Sequence, residues 1–230
     1  MLDFNRYEWL SFDCYGTLVD WETGISTAVA QALEAHGVSR TPAEILGLFS
    51  DLEPRAQTAQ GYLEYRSALR GVMALMGEEL GLEFSESELG CLADSLPDWP
   101  VFPDASAALN TLQSRYKLAI ISNVDDDLFA GSARALGIDF DALITSQQVR
   151  AYKPDLSSFH AALERMGCAR DSWLHIGESL YHDIGPANRM EIASVWVNRP
   201  DRGGGTRQTD AVPDLEVSDL AELAGMMCPA

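Results

Sequence analysis

No run in this 230-residue sequence approaches the roughly eighteen consecutive apolar residues that span a bilayer. The opening MLDFNRYEW places Asp3 and Glu8 where a signal peptide would carry a basic region and an apolar stretch, so the expectation is a cytoplasmic protein. Positive charge is scarce: 16 Lys and Arg stand against 35 Asp and Glu, a net charge of -19. Such a surface repels phosphate backbones and anionic lipid, which argues against nucleic-acid and membrane partners. It also repels small anions at long range, so any anion site has to be built locally from a Lys or Arg and backbone N–H groups. Cysteine is sparse, and Cys14, Cys91, Cys168 and Cys228 form no CxxC pair, which argues against a zinc site or a disulfide framework. Internal repeats and low-complexity tracts are absent. RGGG at 202–205 reads as a flexible loop.

What is there is an apolar share of 47%, enough for one large domain or a domain with a smaller insert. WLSF at 9–12 is β-compatible and runs straight into DCYGT, a strand followed by a glycine turn. From residue 20 to 99 the apolar residues recur at helical spacing, as in Ile25, Val29 and Leu33, in Ile45, Leu48 and Phe49, and in Leu69, Val72, Met73 and Met76. Gly37, Pro42, Gly61, Gly81 and Pro97 punctuate that block, which reads as all-helical. From Pro100 onward strands and helices alternate. KLAIIS (117–122), DALITS (141–146), SWLHIG (172–177) and ASVWVN (193–198) read as strands. Amphipathic helices lie between them, two closing on Gly137 and Gly167. Continuous apolar strands between amphipathic helices predict an α/β fold, a doubly wound, Rossmann-like parallel sheet interrupted after its first strand by a helical insert. The boundaries expected are a core of 1–19 and 100–230 and a helical cap of 20–99.

Ligands of such sheets lie beyond the carboxyl ends of the strands. Asp13 follows the first strand, Ser122 and Asn123 the second, and Ser146 and the tract to Lys153 the third. Gly177, Glu178, Ser179 and Asp183 follow the fourth. Taken singly, each has a plain structural explanation as a turn or helix cap. Together they place carboxylates, a hydroxyl, an amide and an ammonium on one edge of one sheet.

FDCYGTL at 12–18 resembles the nucleophile motif of the haloacid dehalogenase (HAD) superfamily. ISN at 121–123, YKPD at 152–155 and GESLYHD at 177–183 are similar to its second, third and fourth motifs, in the same order. The family's phosphatases carry a second Asp two residues after the nucleophile, to protonate the leaving oxygen. Tyr15 stands there, and a phenol is a poor acid near neutral pH. The Asp-x-Tyr-Gly-Thr pattern resembles instead the 2-haloacid dehalogenases (type II), whose halide leaves without a proton. The resemblance implies that Asp13 attacks the α-carbon of a small 2-substituted carboxylic acid and forms an ester that water then hydrolyses. Lys153 would hold Asp13 ionised, Asp183 would orient the water, and Thr17 and Ser122 would complete the catalytic set. Cys14, Tyr15, Arg55, Asn123, Ser179 and His182 would meet the substrate, and no cofactor would be required. The assembly expected is a monomer or homodimer.

Several positions depart from the best-known dehalogenases. Phe159 stands where they carry Tyr, and their Ser-Ser-Asn-Ala-Trp-Asp run is Glu178, Ser179, Leu180, Tyr181, His182 and Asp183. DWE at 20–22, WPVFPD at 99–104 and the fourth motif resemble a side branch, the L-azetidine-2-carboxylate hydrolase-like proteins, which displace an α-nitrogen by the same geometry. Glu178 admits two readings. It pairs with Lys153 or a cap arginine, or it joins Asp13, the Tyr15 carbonyl and Asp183 around Mg²⁺, as a small-molecule phosphatase would require. For the substrate carboxylate, Arg55 is the expected partner, since Pro54 can start a helix that aims it at the strand ends. Arg66 and Arg70 are expected on a helix surface. Trp21 and Trp99 read as packing at the edges of the cap.

Overall fold

The computed structural model describes residues 2–58, 61–200, 207 and 209–229. The RGGG tract at 202–205 lies outside them. Six parallel strands form one sheet in the order β3-β2-β1-β4-β5-β6. They are β1 (Trp9–Phe12), β2 (Lys117–Ser122), β3 (Ala142–Thr145), β4 (Trp173–Gly177), β5 (Ala193–Val197) and β6 (Leu215–Val217). β1 is central, paired with β2 on one side and β4 on the other. Its four residues are all buried because both faces of the sheet are covered. Successive side chains alternate between faces: Leu10 and Phe12 enter one apolar cluster, while Trp9 joins Ile121, Ile144, Phe159 and Trp173 in another. This is the doubly wound sheet the alternating pattern predicts.

Between β1 and β2 the chain builds α1 (Trp21–Glu34), α2 (Pro42–Thr58), α3 (Tyr65–Leu80), α4 (Glu86–Ser95) and α5 (Ala105–Gln113). Asp20 caps α1 by accepting from the Thr23 N–H, and Ser85 with Glu88 forms a capping box on α4. The apolar stripes fall where helical spacing puts them: Ile25, Val29, Leu33, Ile45, Phe49, Leu69, Val72, Met73 and Met76 are all buried. α3 has no side-chain cap of its own at Glu64. Asp125, in the loop after β2, supplies one instead, accepting the Tyr65 and Arg66 N–H groups at 2.8 Å each.

The second half continues through α6 (Asp126–Leu136), α7 (Ser146–Val149), α8 (Ser157–Met166), α9 (Gly185–Arg189) and α10 (Leu220–Met227). α6 and α8 end on Gly137 and Gly167, both left-handed, as helix stops require. β6, α7 and α10 go beyond the sequence reading. β6 is a three-residue edge strand with Glu216 exposed, too short to show a period. No helix among the described residues is long and apolar enough to cross a membrane.

Candidate active site

The order of the sheet reverses direction at β1 and β4, and the residues leaving those two strands face one cavity of about 390 Å³. Asp13, Tyr15, Ser122, Asn123, Lys153, Glu178, Ser179, His182 and Asp183 all line it. Thr17 sits directly behind Asp13. Cys14 is fully buried in the apolar core and is not among the cavity residues, because alternation turns it away from its neighbours' face.

Lys153 organises the centre. Its Nζ donates to Asp13 Oδ1 at 2.8 Å, to Asp183 Oδ1 at 2.6 Å and to the Ile121 carbonyl at 2.8 Å, so all three ammonium hydrogens are used. Asn123 fixes the Lys153 backbone on both sides, accepting its N–H at 2.7 Å and donating to its carbonyl at 3.2 Å. One hydrogen of the Asn123 amide is thereby committed to Lys153, and the amide nitrogen, at the cavity wall, carries a second. Burial works against the Lys153 charge, but the two carboxylates outweigh it and raise its pKa. Thr17 Oγ1 donates to Asp13 Oδ2 at 3.0 Å and accepts the Glu178 N–H at 2.9 Å, locking the loops after β1 and β4 together.

Asp13 and Asp183 share one ammonium and ionise in sequence. Burial disfavours the charge on Asp183, yet Lys153 and a hydrogen bond from His175 outweigh it and hold its pKa low. Asp13 has fewer donors. Burial and the Asp183 charge, set against the pull of Lys153, raise it to about 6. Gly177 makes room for Asp183, since a Cβ there would lie 2.5 Å from the Asp183 Cγ. Gly16, at φ +102°, occupies a left-handed turn in which a Cβ would meet Glu178 Oε2 at 3.0 Å.

The polar atoms left over define what the cavity can bind. Ser122 Oγ is buried without a hydrogen-bond partner among the described residues. The Tyr15 hydroxyl is engaged by Ser132 at 3.0 Å, and burial pushes its pKa well up, so it stays a phenol. Ser179 Oγ meets the N–H and Nδ1 of His182 at 3.1 Å each. Burial lowers the His182 pKa to about 4, which keeps that ring neutral.

Glu178 pairs with neither partner expected of it. Lys153 has no hydrogen to spare, and among the described residues of 20–99 no arginine lines the cavity. Burial, reinforced by Asp13 and Asp183, raises the Glu178 carboxyl to about 8. Asp13 and Asp183 both turn Oδ1 onto an ammonium, and among the described residues no three His, Cys, Asp or Glu gather as a metal site.

The arginines are placed differently from expectation. Arg55 projects from α2 into solvent and pairs with Glu79 at 2.7 Å; Glu53 and Gln57, two positions to either side and about 200° round the helix, line the cavity instead. Arg66 pairs with Asp127 and Asp94, and Arg70 with Glu86, on the exterior as expected. Two other arginines line the cavity, Arg199 just after β5 and Arg207. Arg199 is held by Asp104 at 3.0 Å through both terminal nitrogens and lies 3.8 Å above the Phe102 ring. Arg207 lies 5.2 Å over Tyr181. Extending the strand-end rule to the fifth strand would have pointed to Arg199. Nothing in the local sequence pattern marks Arg207. Trp21 lines the cavity against Phe49, with ring centres 5.9 Å apart, while Trp99 packs edge-on to Tyr15 and closes over Gly24.

The family of haloacid dehalogenase-like hydrolases matches residues 7–190. The (S)-2-haloacid dehalogenase H-109 of Pseudomonas putida is 27% identical over 231 residues, covering 94% of this chain and 96% of its own. Haloacid dehalogenase-like hydrolase domain-containing protein 3 of Danio rerio is 26% identical, covering 94% of each chain. Among solved structures, the L-2-haloacid dehalogenase of Xanthobacter autotrophicus with chloropropionic acid covalently bound superposes with a TM-score of 0.81. It is 23% identical, over 97% of this chain and 100% of its own.

Proposed function

Since the chain belongs to the haloacid dehalogenase-like hydrolases, we propose that it hydrolyses a small 2-substituted carboxylic acid at the α-carbon, through an ester on Asp13. The observation that carries this reading is the pose of Asp13. One oxygen is fixed by Lys153 and the other by Thr17, at the wall of a cavity whose Ser122 hydroxyl is uncommitted. In the first step an Asp13 oxygen forms a bond to the α-carbon and the leaving group departs with its electron pair. In the second, water beside Asp183 attacks the Asp13 carbonyl and the ester C–O bond breaks. The product keeps the original Asp13 oxygen as its 2-hydroxyl, and the water oxygen stays in Asp13. The names of the relatives, and the acid held covalently in the Xanthobacter enzyme, support the substrate class. We read residues 20–99 as the cap over a core of 1–19 and 100–230, and we route no step through a metal.

Glu178 favours a second reading within this chemistry. A carboxyl that keeps its proton at neutral pH, in the same cavity as the nucleophile, can protonate a departing nitrogen such as that of L-azetidine-2-carboxylate. A halide would not need it. A single turnover in ¹⁸O water, with EDTA present, tests both readings on 2-chloropropionate and L-azetidine-2-carboxylate. Label in Asp13 is expected, with Asp13→Asn inactive. Label found only in the product would overturn the ester. Turnover of p-nitrophenyl phosphate that depends on added Mg²⁺ would favour a phosphatase.

A further inference from the structure

Behind Asp183 a chain of buried polar groups runs into the sheet. The Trp173 indole N–H donates to Ser11 Oγ at 2.7 Å, Ser11 Oγ meets His175 Nδ1 at 2.7 Å, and His175 Nε2 meets Asp183 Oδ1 at 3.3 Å. Ser11, His175 and Asp183 are each 0% exposed, so none of their hydrogens can be satisfied by solvent.

Counting hydrogens leaves one arrangement. An indole N–H only donates, so a lone pair of Ser11 receives it. The single hydroxyl hydrogen of Ser11 then has Nδ1 as its acceptor. Nδ1 is therefore unprotonated, and the ring hydrogen sits on Nε2, aimed at the Asp183 carboxylate. The reverse tautomer would set a nitrogen lone pair against a carboxylate oxygen. A doubly protonated ring would leave the Ser11 hydroxyl with nowhere to donate. Phe159 packs edge-on against the imidazole, 4.8 Å between ring centres, and keeps the ring upright.

We infer that His175, fixed as the neutral Nε2–H imidazole by Ser11 and Trp173, is a positioning residue for the second step: it holds Asp183 ionised and aimed at the hydrolytic water. His175 touches neither substrate nor nucleophile. Lys153 serves Asp13 and Asp183 alike, whereas His175 touches Asp183 alone, so its removal should separate the two half-reactions. The inference rests on the ester reading of Asp13, and wild-type labelling in ¹⁸O water tests that reading separately.

The first measurement is the ¹⁵N spectrum of the His175 ring in the intact wild-type protein, followed over about pH 5–9. An acceptor-type Nδ1 with a protonated Nε2 is expected throughout. An imidazolium, or a proton on Nδ1, overturns the inference. The second is single-turnover kinetics followed by intact mass on His175→Leu, His175→Gln and the milder Ser11→Ala, which removes only the hydroxyl donor. In His175→Leu the ester should form at close to the wild-type rate and decay at least about tenfold more slowly, so that Asp13 esterified by the substrate α-carbon accumulates. His175→Gln, which returns an N–H donor, should recover part of the decay rate, and Ser11→Ala should show the same split more weakly. Equal slowing of both steps, or no slowing of either, overturns it. If His175→Leu fails to fold, the ring spectrum and Ser11→Ala still decide.

Discussion

Glu178 carries its proton because burial, and the Asp13 and Asp183 charges beside it, raise its pKa to about 8. Two pH dependences follow. With a nitrogen leaving group, kcat/KM should fall as pH rises through about 8, where the acid is lost, and as pH drops through about 6, where Asp13 is protonated. Glu178→Gln should remove the alkaline limb. With 2-chloropropionate only the acid limb should appear in either protein. Stability has its own sign. A carboxyl whose pKa is higher folded than unfolded binds its proton more tightly in the native state. Its contribution is complete below the ordinary value of 4.5, declines above it and is gone above about 8. Urea titrations across that window should show a stability loss with rising pH that is shallower in Glu178→Gln. The arginines give the contrasting case. Arg55 is 55% exposed in a surface pair, so Arg55→Ala should leave kcat/KM within about twofold. Arg207→Ala, which strips a cation from the cavity wall, should raise KM for an anionic substrate about tenfold, or ~1.4 kcal/mol.

At the scale of elements, the turn from β4 into Leu180–Ile184 depends on Gly177, because the Asp183 side chain folds back over it. Gly177→Ala should displace Asp183 and lower kcat by about a hundredfold, the loss expected from misplacing a reacting group by about 1 Å. Far-UV circular dichroism should be unchanged. α3 depends on Asp125 in a similar way. Asp125→Ala leaves the Tyr65 and Arg66 N–H groups without their acceptor and should cost about 1–2 kcal/mol in chemical denaturation.

The whole molecule acts through its charge. At -19 it repels an anionic acid before the cavity can hold it, so kcat/KM for such a substrate should rise with added salt while kcat stays level. A fall would show that local arginine attraction outweighs the net field. The same whole-molecule view explains what could be read in advance. β1, β2 and β4 are buried on both faces, so between their end residues they are apolar but for Ser11 in β1 and His175 in β4, and the chain at their carboxyl ends delivers Asp13, Ser122 and Asp183 to one cavity. Patterning along the chain cannot report where a helix face ends up pointing, which is why Arg55 was expected inside and lies outside. Nor can it reveal a group whose partners are far away in the chain: His175 looks like one more strand residue until Ser11, 164 positions earlier, meets its ring.

Asp125 bears on how such a fold can diversify. The amide groups that open α3 are satisfied by a carboxylate that the chain reaches only after four more helical and strand segments. The inserted helices are consequently not a free cassette. A chimera that transplants them onto another member's sheet inherits a helix missing its first contact, unless the recipient carries an acid at the equivalent place. Lineages that exchange or rebuild this insert are therefore expected to change the loop after the second strand in step with it, and sequence pairs at these two places should covary more tightly than either does with the nucleophile.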